Sequence, residues 1–136
     1  MGAWGHGPFA NDTALDCVAD LAGADPGAIR ACLLRVMRKA TEGGGHLTNP
    51  KADAAVAAAV LVAARLGADP ASGSAEELLA SHPFEADGEL RLEALRVFDR
   101  VADPRDNEWH DLWTDAGALE KVLKLQAPYR EALEAR

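Results

Sequence analysis

The sequence predicts an all-α protein, a single-domain helical bundle of five to seven helices with an Ala-rich central helix. Three observations carry that expectation. Apolar residues recur at helical spacing in nearly every segment, and no two-residue alternation persists anywhere. Punctuation is regular: Ala24-Asp25-Pro26, Ala68-Asp69-Pro70 and Ala102-Asp103-Pro104 each offer an Asp as helix cap and a Pro as first helical residue. Hydrophobic residues make up 49% of the 136. A chain of that length buries about two thirds of its unfolded surface, enough for one core, so residues 1–136 read as one unit.

Each element has a local reason. Residues 1–12 form a glycine and aromatic leader. The first helix runs from about Thr13 to Ala22, with Leu15, Val18, Ala19 and Ala22 facing inward. Gly23, like Gly67 later, stands where a helix end favours a left-handed residue. The second helix spans about Pro26 to Glu42 with a stripe of Ile29, Cys32, Leu33, Val36, Met37 and Ala40, and Gly43-Gly44-Gly45 stops it. Asn49-Pro50 opens the third, which ends at Gly67 and is apolar nearly all round, as a central helix must be. Ser74-Ala75-Glu76-Glu77 fits a capping box for a short fourth helix that His82-Pro83 terminates. The fifth comes after Asp87-Gly88 and reaches about Ala102 with Leu95, Phe98 and Val101 inward. A final helical stretch carries Trp109, Leu112 and Trp113, continues through Leu119, Val122 and Leu123, and bends or ends at Pro128. The repeated Ala-Asp-Pro reads as reuse of one turn chemistry rather than as a duplicated hairpin.

The formal net charge of −8 disfavours nucleic acid and anionic membrane surfaces, because both need clustered Lys and Arg. It leaves room for a basic protein partner or a cation. Cys17 and Cys32 fall on apolar faces and read as buried free thiols of a reducing, cytoplasmic compartment; spacing alone also allows a disulfide between them. The N-terminus has neither the charged nor the apolar region of a signal peptide, and the longest apolar run, Ala54 to Ala64, is too short to span a bilayer. His6 stands where N-myristoylation needs Ser or Thr.

Charge is unevenly placed. Residues 1–29 hold no Lys or Arg, yet they hold Asp12, Asp16, Asp20 and Asp25; residues 30–39 hold Arg30, Arg35, Arg38 and Lys39 and no acid. Asp12, Asp16 and Asp20 are four apart and share one helical face, where like charges repel. Two readings stand. Antiparallel packing brings the cations of the second helix onto these acids, or the acids stay unmatched and take an outside counter-charge. That counter-charge is a basic protein or a divalent ion, with His6 joining Asp12 and Asp16 for a transition metal. The sequence has no HExxH, EF-hand loop or paired CxxC, and His46, His82 and His110 stand alone in loops or beside aromatics.

Gly5-His6-Gly7 reads as a hinge that tucks Trp4 and Phe9 onto the body against Trp109 and Trp113. A buried ring there contributes roughly 1.5–3 kcal/mol. A half-exposed ring would instead serve as an interaction hot spot. An anion nest is excluded, since Asp12 and Asp16 occupy the same positive helix end. Ser72, Ser74 and Ser81 sit in cap or turn contexts without a GxSxG elbow, and an apolar face beside Asp16 disfavours the Cys17 thiolate. No catalytic residue and no cofactor is expected.

The opening run Gly2-Ala3-Trp4-Gly5-His6-Gly7-Pro8-Phe9-Ala10-Asn11-Asp12-Thr13-Ala14-Leu15-Asp16 resembles the N-terminal signature of a bacterial family, the domain of unknown function 4259. The Ala-rich helix and the late Leu112-Trp113 with a Leu-rich tail agree with it. The resemblance implies a small bacterial all-α protein without an assigned activity, with Trp4, Gly5, Gly7, Phe9, Asn11, Asp12 and Asp16 as its signature residues. The chain departs from the family pattern at His6 (a small hydroxyl residue is more usual), at Cys17 (an aromatic) and at Val60 (a glutamate).

These readings make the chain a non-enzymatic protein-interaction module. Its candidate binding residues are Trp4, His6, Phe9, Asn11, Asp12, Asp16, Asp20, Trp109 and Trp113, and its partner is a basic protein. The alternative is a metal-binding or metal-assisted enzyme using Asp12, Asp16 and His6.

Overall fold

A computed structural model describes residues 5–42 and 45–135. Trp4, a candidate anchor, lies outside the described residues. The described residues form seven α-helices in the order α1 (Asp12–Ala22), α2 (Ile29–Thr41), α3 (Asn49–Arg65), α4 (Gly73–Ser81), α5 (Gly88–Ala102), α6 (Glu108–Asp115) and α7 (Leu119–Glu134), with a 3₁₀ turn at Pro26–Ala28 before α2. The fold class is all-α, as the helical periodicity predicts, and no described helix is long and apolar enough to cross a membrane.

α3 is the hub. Ala52 and the run from Ala55 to Ala63 are buried on every side, and α1, α2, α5 and α7 all pack against it. Alanine makes this arrangement possible, because short side chains let several backbones come close to one axis. Val60 is fully buried in that run. α2 and α5 also pack on each other. In contrast, the backbones of α1 and α2 approach each other closely almost nowhere, although only a short turn joins them; both rest on α3. That separation opens a cleft between the two helices.

The three Ala-Asp-Pro segments share one device. In each, the Asp Oδ1 accepts a backbone N–H two residues on: Gly27 onto Asp25, Ala71 onto Asp69 and Arg105 onto Asp103, at 3.1, 2.8 and 3.0 Å. Only the first leads directly into helix, which corrects the expectation that all three do. After the second, Ser72 caps α4 by accepting from Ala75 N–H, so Ser72 rather than Ser74 is the cap. After the third, Asn107 caps α6. Asn107 is buried. Its Oδ1 accepts from His110 N–H, and its amide donates to the carbonyls of Arg100, Val101 and Asp103, joining the end of α5 to the start of α6. Leu47 and Asn107 also form a parallel backbone bridge, with Leu47 N–H on Asp106 O and Glu108 N–H on Leu47 O.

Other expectations need correcting. The buried face of α1 is Ala14, Cys17, Val18 and Leu21; Ala19 and Ala22 are exposed and Leu15 is half-buried, so the helix is rotated from the predicted face. Gly23 is right-handed, whereas Gly67 has the expected positive φ of 116°. The C-terminal stretch is two helices, broken at Gly117 with φ of 71°. Pro128 neither ends nor interrupts α7. Pro128 and Lys124 are both exposed, so water can reach the carbonyl that the proline leaves without a donor. Cys17 is buried and Cys32 half-buried; both are free thiols.

Candidate functional site

The leader reaches the body through a tight turn in which Ala10 N–H donates to Gly7 O at 3.1 Å. Gly5 packs closely on this turn: a Cβ there would lie 3.2 Å from the Ala10 Cβ, tighter than ordinary contact. The turn delivers Phe9 into the core at 7% exposure. Asn11 then caps α1, its buried Oδ1 accepting from Ala14 N–H at 2.7 Å. His6 stays exposed and rests on Trp113 with ring centroids 5.6 Å apart; Trp113 in turn meets Trp109 edge-on at 6.4 Å. Trp109 is buried and Trp113 half-buried, so Phe9 and Trp109 belong to the core and Trp113 alone of these three shows a partly open face.

Beneath this leader lies a small pocket of about 20 Å³, close to the room one water needs, lined by His6, Asn11, Asp53, Trp109, Trp113 and Gln126 among others. Asp53 and Gln126 are buried polar residues that sequence reasoning missed. Asp53 sits in α3, accepts from the Asn49 amide at 3.3 Å and from the Trp109 indole, and yet burial pushes its pKa up to about 6. The pocket is the place where four candidate residues, His6, Asn11, Trp109 and Trp113, come together. Its only sequence signal is an acid set inside a helix that is otherwise apolar nearly all round.

Asp12, Asp16 and Asp20 are elsewhere, exposed along α1. No ion pair reaches them among the described residues. Two of the four cations expected to match them, Arg30 and Arg38, are engaged by other acids. Arg30 binds Asp87 at 2.7 Å and Glu89 at 2.5 Å, and Arg38 binds Glu89 at 2.8 Å and Glu42 at 3.4 Å. These carboxylates hold both guanidinium pKa values above the usual range, while Arg30 depresses those of Asp87 and Glu89. Glu93, a buried carboxylate that sequence reasoning also missed, accepts from Thr41 Oγ1 and lies 3.3 Å from Arg96 and 3.7 Å from Arg38. Arg30 and Arg38 are therefore drawn to α5 and its cap, while Arg35 and Lys39 make no ion pair among the described residues.

Asp16 and Asp20 line one wall of the α1–α2 cleft, which encloses about 390 Å³; Arg35 and Lys39 line the other, over a floor that includes Cys17, Leu21, Val36 and Ala54. Burial and the neighbouring Asp20 push the Cys17 thiol up to about 11, so its thiolate is suppressed. No three His, Cys, Asp or Glu side chains among the described residues gather in a way that holds a metal, so His6, Asp12 and Asp16 do not form a three-ligand group.

The model of one protein family matches residues 2–124, and its description is domain of unknown function (DUF4259). The chain belongs to the DUF4259 family. The match takes in the leader, the cleft between α1 and α2, and the helices through the first part of α7, so the cleft lies within the family domain and so do the pocket's lining residues apart from Gln126. No curated protein and no solved structure matches the chain.

Proposed function

We propose that the chain is a protein-interaction module that docks a basic partner on the exposed face of α1, beside the leader turn. One observation carries the reading: Asp12, Asp16 and Asp20 are exposed on one helical face without an internal cation among the described residues, although four cations stand in the next helix. Like charges one turn apart repel by a few tenths of a kcal/mol per pair, so a basic surface placed over them gains twice, by new attraction and by relief of that repulsion. Trp113, half-buried and in tilted contact with His6, adds an aromatic edge of the kind enriched at interfaces.

The test places a photoreactive residue at the exposed Ala19 position of α1 and irradiates native cells. The expected result is capture of a basic protein, reduced by high salt and by Asp12→Asn, Asp16→Asn and Asp20→Asn together. Capture that is equally strong with the three asparagines, or equally strong from a probe at the exposed Leu92 of α5, would overturn the reading.

A further inference from the structure

The cleft between α1 and α2 has a charge pattern that docking a basic partner does not explain. Its two walls carry opposite charges: Asp16 and Asp20 on α1, Arg35 and Lys39 on α2. These four groups form no ion pair with each other or with any other described residue; Arg35 instead points a guanidinium N–H at the Cys32 sulfur, 3.6 Å away. α1 and α2 pack on α3 rather than on one another, which places the two charged walls on opposite sides of the cleft. Between the walls the floor is apolar, with Leu21 buried and Val36 half-buried. The volume of about 390 Å³ falls within the range of small-molecule sites.

We infer that this cleft binds a small peptide-like zwitterion, a free short peptide with apolar side chains. Its ammonium meets Asp16 and Asp20, its carboxylate meets Arg35 and Lys39, and its side chains cover the apolar floor. Each end gains a charge-assisted hydrogen bond, and a molecule that carries both charges satisfies both walls at once. A small cation lodged between the walls, unlike a basic protein resting on the exposed face of α1, would be repelled by Arg35 and Lys39; a small anion would meet the same obstacle at Asp16 and Asp20. Arg35 and Lys39 supply half of this site and are not needed by the basic partner, so the two readings fail separately.

The probe is the dipeptide Leu-Leu, compared with its N-acetylated form and its C-terminal amide, each of which removes one charge. Binding is followed by amide chemical shifts of the full chain and by calorimetry. The expected result is shifts concentrated in α1 and α2, with each capped peptide at least about tenfold weaker, since a hydrogen bond to a charged group is worth about 1.5–3 kcal/mol. Asp16→Asn with Asp20→Asn should weaken Leu-Leu but not its N-acetylated form, and Arg35→Gln with Lys39→Gln should weaken it but not its amide. All four residues are at the surface of the cleft, and circular dichroism checks that the variants are folded. Absence of shifts at about 10 mM Leu-Leu would overturn the inference, as would equal binding of the capped peptides.

Discussion

Burial of the Asp53 carboxyl raises its pKa from 3.8 to about 6, so in that interval the folded chain keeps a proton that the unfolded chain has released. Folding is then coupled to proton binding, and stability falls as pH rises through this window and levels off above it. Asp53→Asn keeps an acceptor for the Trp109 indole and removes the charge. Denaturant unfolding at a series of pH values should show a flatter profile for the variant between about pH 4 and 6.5, and a gain at pH 7.5 of up to roughly 3 kcal/mol. A variant as pH-dependent as the parent would contradict the burial assigned to this group. Cys17 makes a second prediction at this scale. With its thiol raised to about 11, it should be alkylated at pH 8 far more slowly than the half-buried Cys32, as read by mass spectrometry of the folded protein; equal rates would contradict it. Neither Asp53 nor Glu93 was legible as a buried acid. Their partners include Trp109 for Asp53 and Thr41 and Arg38 for Glu93, roughly fifty residues away, and a carboxylate on a helix reads by default as solvated.

Helices were the most legible level, because apolar spacing and caps are local signals. The central place of α3 was evident from its being apolar nearly all round. What failed were choices that depend on neighbours. Period alone does not decide which of two adjacent small apolar rows of α1 faces the core, and Ala14 rather than Ala19 does. The Ala-Asp-Pro turns form from their own residues in all three places, yet the helix start depends on capping residues further along the chain: Ser72 and Asn107 each lie a few residues beyond their turn. Ser72→Ala should therefore cost about 1 kcal/mol in equilibrium unfolding, whereas Ser74→Ala, inside α4, should cost well under that. The opposite ranking would restore the capping box predicted from the sequence. Pro128 shows the same limit: a proline's effect on a helix depends on whether the freed carbonyl faces water or a neighbour.

Over the whole molecule, the arrangement of charge is set by which helices touch. α2 packs against α5, so Arg30 and Arg38 find Asp87, Glu89 and Glu93; α1 and α2 barely meet, so the acids of α1 do not find the cations of α2. The sequence showed the two blocks of charge but not the gap between them, since a short connecting turn suggests a closed hairpin. That gap underlies both the docking face and the cleft. A double-mutant cycle between Asp16→Asn and Arg35→Gln, repeated with Asp20→Asn and Lys39→Gln, measures it most directly. With unpaired walls, the effects of each pair on unfolding free energy should add to within about 0.3–0.5 kcal/mol. A favourable coupling of about 1 kcal/mol or more between the walls would mean that the acids are matched from within, and would contradict the account.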